Sequence, residues 1–108
     1  MLDKIIAEAS TPPVIIVLGD HGPRSGLNWE DPMKTDHRES MGILNAYLLP
    51  DNGREILYGD ISPVNTFRII FDRYFGTRLG VLEDKVFYST ASKPYHFYDV
   101  TDAVRAAH

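Results

Sequence analysis

The chain has 108 residues, 44% of them apolar and 24% charged, which suits one small folded domain or part of a larger one and argues against disorder. A formal net charge of −4 gives no support for a nucleic-acid or anionic-membrane partner, and the absence of cysteine excludes disulfides, thiolate metal sites and a cysteine nucleophile. No apolar run approaches the roughly 20 residues of a membrane span, and the first ten residues carry Asp3, Lys4 and Glu8, unlike a signal peptide, so the chain reads as soluble.

Leu2, Ile5, Ile6 and Ala9 fall at i, i+3, i+4 and i+7, the spacing of one apolar helix face, with Asp3 near the start where the helix dipole favours it. Pro12 and Pro13 cannot continue that helix. The run Val14–Leu18, five apolar and mostly β-branched residues, predicts a strand buried on both faces. Such strands belong to parallel sheets covered by helices, so the expected fold is α/β, with a central, mainly parallel sheet flanked by helices. A chain opening on helix then strand, with no earlier strand, reads as the middle of an αβ unit.

The strand ends in Gly19-Asp20-His21-Gly22, where glycines allow a sharp turn. Ligands in open α/β sheets sit outside the carboxyl ends of the strands. Asp20 and His21 there offer a carboxylate oxygen and an imidazole nitrogen to a metal ion. Taken alone, the pair is better described as an Asx-type turn with an incidental histidine.

From Pro23 to about Glu39 the sequence is rich in Pro, Gly, Asp and Asn and lacks periodicity, predicting a long loop, a kind that is uncommon and tends to be functional. It holds Arg24, Lys34, His37 and Arg38, cations suited to an anionic substrate, or else a solvated surface with Trp29 as packing anchor. Ile43–Leu49 reads as a second strand closed by Pro50-Asp51-Asn52-Gly53. Ser62-Pro63 predicts a helix start, and Val64, Phe67, Phe71 and Tyr74 recur at helical spacing up to Gly76, well placed as its left-handed cap. These aromatics are expected to pack in the core, with this helix and the Ile5/Ile6 helix laid against the central sheet. Short strands are expected at Lys85–Ser89 and Tyr95–Val100, then a helical turn capped by Thr101. His96 reads as structural or exposed, and His108 as frayed.

The order of these pieces resembles the C-terminal part of the alkaline phosphatase superfamily: apolar strand, Gly-Asp-His-Gly, long polar loop, second strand ending in Pro50, then Ile61-Ser62-Pro63-x-x-Thr66 opening a helix. The closest likeness is to the sulfatase-like branch, which includes phosphoglycerol and phosphoethanolamine transferases of bacterial envelopes. The resemblance covers roughly residues 2–76, and Asp20-His21 is its most specific part. It implies a partial sulfatase-like sandwich in which Asp20 and His21 bind the catalytic metal. Lys34, and more loosely His37 and Arg38, would meet a phosphate or sulfate ester. Histidine at position 21 favours zinc or manganese over calcium or magnesium.

Two departures qualify what the resemblance implies. The family's nucleophile and first acidic ligand come from an N-terminal half with no counterpart here. Ser10-x-Pro12-x-Val14 lacks the arginine of the sulfatase nucleophile signature and precedes the metal strand, so it is no substitute. The expectation is therefore an incomplete, C-terminal metal-binding portion of a hydrolase or transferase, inactive alone. Its exposed sheet edge or apolar surface would be coverable by dimerisation, and an extracytoplasmic site follows from the resemblance only. Against this stand a non-catalytic interaction or assembly module and a truncated reading frame.

Overall fold

The structure, a computed structural model, describes residues 1–106; the terminal His108 lies outside the described residues. Among the described residues there are four helices: α1 (Leu2–Glu8), α2 (His37–Met41), α3 (Pro63–Phe75) and α4 (Thr101–Arg105). Four short strands, β1 (Ile15–Leu18), β2 (Asn45–Leu48), β3 (Phe87–Tyr88) and β4 (Tyr98–Asp99), form two separate antiparallel pairs. Single 3₁₀ turns at Pro32–Lys34 and Gly53–Ile56 complete the regular structure.

Among the described residues the central parallel sheet expected from Val14–Leu18 is not there. β1 pairs with β2 alone, antiparallel, in the register Ile15–Leu48, Ile16–Tyr47, Val17–Ala46 and Leu18–Asn45, and Gly19 N–H to Leu44 O at 2.8 Å extends the ladder. A parallel arrangement needs a crossover that carries the chain back along the sheet and covers one face. The connection from β1 to β2 holds the 3₁₀ turn Pro32–Lys34 and α2, five residues long and thus about 7 Å, against about 13 Å for a four-residue strand. It folds beside the end of β1 and returns the chain in the opposite direction. With β2 as its one strand neighbour among the described residues, β1 has Ile15, Ile16 and Val17 half-buried and Leu18 exposed.

The helices depart from expectation in the same sense. α1 forms where its periodicity predicts, but it has no buried residue. Ile5→Ala is accordingly expected to change unfolding free energy by less than about 0.5 kcal/mol, as for other surface positions; urea denaturation checks this. α3 follows its local signals closely. The Ser62 hydroxyl accepts Asn65 N–H at 3.2 Å, Pro63 occupies the first turn, and Gly76 ends the helix at φ 68°, a conformation that glycine adopts without strain. Its aromatic face, expected in the core, points outward: Phe67, Phe71 and Phe75 are exposed, while Asn65, Thr66 and Ile70 are buried.

The reason lies in polar pairing. The Asn65 amide donates to Leu82 O (2.8 Å) and Asp84 Oδ1 (2.7 Å) and accepts Leu82 N–H (2.9 Å). The Thr66 hydroxyl bonds Ser62 O at 3.1 Å and lies 3.3 Å from the Tyr47 hydroxyl. Both side chains are wholly removed from solvent, which is tolerable only because their polar atoms are paired. That face is thereby committed inward, and the phenylalanines lie on the other.

β3 and β4 are shorter than predicted, two residues each, paired Phe87–Asp99 and Tyr88–Tyr98. Thr101 is not the cap of α4 but its first residue; its hydroxyl accepts Val86 N–H at 2.9 Å. His96 is exposed and lies against the Tyr98 ring, centroids 4.6 Å apart. The Tyr88 hydroxyl donates to Asn28 O and α4 packs on α2, so the C-terminal hairpin closes over the long loop.

Candidate functional site: the Asp20–His21 turn

Asp20 and His21 leave the end of β1 in a turn held at both ends, by Gly19 N–H to Leu44 O and Gly22 N–H to Ser40 O, each 2.8 Å. Within it, Asp20 Oδ1 accepts the His21 N–H at 3.1 Å. His21 Nδ1 lies 2.7 Å from Gly22 O. A carbonyl can only accept, so Nδ1 carries a proton, and in the neutral ring the lone pair is then on Nε2. A main-chain carbonyl orienting the second ring nitrogen in this way is the usual support of a metal-binding histidine.

The remaining atoms, Asp20 Oδ2 and His21 Nε2, face each other at 3.7 Å. Bonds of about 2.0–2.2 Å from each would reach one zinc-sized ion between them. The Asp20 side chain is 91% exposed and that of His21 44%, so a ligand has open access. With imidazole protonated, the same geometry is a surface ion pair of small energetic consequence. The donor pair fits a metal in type and spacing, yet among the described residues no group of three or more His, Cys, Asp or Glu could hold an ion.

Gly22 is the positional element. A Cβ on it would lie 2.0 Å from Glu39 O and 2.8 Å from Gly42 O, main-chain carbonyls at the end of α2. Glycine is required here for close approach.

The loop cations scatter. Lys34 is largely exposed and sits 3.4 Å from Asp31 as an i,i+3 pair. Arg38 is exposed on α2. His37 is buried: its Nε2 donates to Pro32 O at 2.7 Å, its ring meets Tyr88 edge-on at 5.1 Å, and Nδ1 is buried without a partner. It ties the loop to the C-terminal hairpin. Among the described residues no hydrogen bond or ion pair joins these three to Asp20 or His21. Trp29 is not a packing anchor either; it is 57% exposed, with the Arg24 guanidinium 5.5 Å from its ring centre.

The predicted loop is more ordered than its composition suggests. Asn28 Oδ1 accepts Glu30 and Asp31 N–H at 3.0 and 2.9 Å, Asp31 and Asp36 cap the next two turns, and Glu39 accepts from Ser25 Oγ and Gly26 N–H. Such Asx and capping bonds have a sequence signature, Asn, Asp and Ser at short spacing, that a search for apolar periodicity passes over.

Comparison with protein-family models, curated proteins and solved structures finds no significant match to this chain.

Proposed function

We propose that this chain contributes Asp20 and His21 as ligands of a divalent metal in phosphate or sulfate ester hydrolysis or transfer, with zinc or manganese preferred to calcium or magnesium. The observation that carries the reading is the free pair Asp20 Oδ2 and His21 Nε2, 3.7 Å apart, with each group's other polar atom tied to the main chain. The order of motifs, like that of the sulfatase-like branch, supports the ester class; the family's sandwich is not part of the reading. A bound metal would lower the pKa of a nucleophile and stabilise charge on the transferring group. Catalytic metals take about three or four protein ligands, so in this reading the others, and the nucleophile, are supplied by another part of the active enzyme. Lys34 and Arg38 are exposed cations on the adjoining loop that an anionic ester could meet.

Zinc titration followed by the imidazole NMR signals tests this. The His21 signals are expected to shift first, with weak affinity, and Asp20→Ala or His21→Ala is expected to lower that affinity by at least about tenfold. Zinc binding unchanged in both variants would end the proposal. The 108-residue chain alone is expected to turn over neither p-nitrophenyl phosphate nor p-nitrophenyl sulfate with metal added. Turnover lost on Asp20→Ala would place the nucleophile within the chain. Ser25, Thr35 and Ser40 would then be the first residues to substitute, although each hydroxyl now bonds within the loop.

A further inference from the structure

The turn at residues 50–53 holds two unusual main-chain conformations side by side. Asp51 and Asn52 both lie in the left-handed region, at φ 56° and 58°, as at the centre of a type I′ turn, and Gly53 N–H closes it by donating to Pro50 O at 3.1 Å. Residues with a side chain disfavour that region, and Asn and Asp enter it at least cost. The end of α3 holds the turn in place: the Tyr74 hydroxyl donates to Pro50 O at 2.6 Å, and Arg73 Nη2 to Asp51 O at 2.7 Å. Gly53 is buried against them, where an added Cβ would collide with the Tyr74 hydroxyl and lie 2.8 Å from Leu49 Cβ. Asn52 is exposed, and its side chain makes no capping bond.

We propose that Asn52-Gly53 is a self-modifying site, where asparagine passes through a succinimide to aspartate and isoaspartate, and that isoaspartate releases the turn from α3. The Gly53 main-chain nitrogen gives its proton to hydroxide and attacks Asn52 Cγ. The N–Cγ bond forms, the Cγ–Nδ2 bond breaks, and Nδ2 leaves as ammonia with a proton from water. Water then opens the five-membered imide. Opening at Cγ restores the ordinary chain as aspartate; opening at the Asn52 main-chain carbon leaves the chain running through Cβ and Cγ as isoaspartate. One water enters and one ammonia leaves, with no change of oxidation state. Glycine is the residue that hinders such an attack least, having no Cβ beside the nitrogen. The chain has four asparagines and no glutamine; Asn28, Asn45 and Asn65 precede Trp29, Ala46 and Thr66. Asn65 is also fully buried with its amide bonded. Gly53 N–H is committed to Pro50 O, so the turn must open before attack. Opening relieves two left-handed residues and breaks the bonds from Tyr74 and Arg73, which therefore act as the gate. Isoaspartate lengthens the main chain by one carbon where Gly53 has no room against Tyr74 and Leu49, so the turn no longer closes on α3. The site is independent of the metal proposal.

The test is incubation of the folded chain at mildly alkaline pH, with peptide mapping by mass spectrometry at intervals and the isoaspartate form separated by ion exchange. Amide loss is expected at Asn52 ahead of the other three asparagines, with both aspartate and isoaspartate formed. Tyr74→Phe is expected to speed it about fivefold in the folded chain, the worth of one hydrogen bond, and to leave the rate in urea unchanged. The isoaspartate form is expected to unfold at lower urea than Asn52→Asp, which carries the same charge on an ordinary main chain. The mapping and this last comparison do not depend on Tyr74→Phe folding. Amide loss at Asn52 that is absent, or no faster than at Asn28 or Asn45, would overturn the site. A folded-state rate indifferent to Tyr74→Phe would overturn the gate, and equal urea midpoints of the isoaspartate form and Asn52→Asp would overturn the release from α3.

Discussion

Gly22→Ala is expected to cost about 3 kcal/mol of stability, at the upper end for overpacking, and to abolish the metal binding proposed for the Asp20–His21 turn. The added methyl would stand 2.0 Å from Glu39 O, 2.8 Å from Gly42 O and 3.1 Å from Ser40 O. All three are main-chain atoms at the end of α2, so no side-chain rotation relieves the contact. The turn must withdraw by more than about 1 Å to reach ordinary carbon–oxygen contact, which breaks Gly22 N–H to Ser40 O. The same movement displaces Gly22 O, the acceptor that orients the His21 ring. Stability and zinc affinity should therefore fall together. Gly59→Ala is the control: a Cβ there meets nothing within 4 Å, and its effect should stay within about 0.5 kcal/mol. Urea denaturation of the two variants, with the zinc titration repeated on folded Gly22→Ala, checks the pair. Equal stability of the variants would refute the close-packing argument.

Asp84→Ala should have a comparable effect for a different reason. Asp84 Oδ1 accepts Ser62 N–H (2.8 Å) and the Asn65 amide (2.7 Å), and Oδ2 accepts the Tyr58 hydroxyl (2.5 Å). Burial by itself would push this carboxyl up, but the hydrogen bonds from Ser62, Tyr58 and Asn65 outweigh it and hold its pKa down to about 2. Alanine would strand donors at the start of α3, one of them on the fully buried Asn65, at about 3 kcal/mol. The pH dependence has a definite sign. The folded pKa, about 2, lies below the ordinary 3.8, so the stabilisation is fully present above about pH 4 and is lost as pH falls through about 2. Its size is about 2 kcal/mol. Wild-type stability should therefore decline across that window, and Asp84→Ala should remove this part of the decline. An acid profile of urea midpoints unchanged by the substitution would disprove the assignment. Losing the hub should also free the face of α3 that Asn65 holds inward.

The same residues show what was legible in the chain and what was not. Every local signal on α3 could be read from sequence, because the Ser62 cap, Pro63 in the first turn and Gly76 in the left-handed region act within a few residues of one another. The turn Gly19–Gly22 at the end of β1 was equally legible, since glycine and Asx chemistry are local. The convergence of Asp20 Oδ2 and His21 Nε2 rests on neighbours, His21 N–H and Gly22 O.

Partners distant in sequence decided the rest. Apolar periodicity marks a face that gains by burial but does not say what will bury it. In α3, Asn65 met Leu82 and Asp84, 17 and 19 residues away, and that pairing set the inward face against the hydrophobic pattern. Val14–Leu18, five apolar residues, called for cover on both sides, and the tertiary structure supplied one antiparallel strand neighbour, β2. His37 reads as one more loop cation until Tyr88, 51 positions on, closes over its ring. Sequence alone thus determined where α3 starts and stops and where the chain turns after β1, through contacts a few residues apart. Which face of α3 lies inward was left to long-range polar pairing, which has no local signature.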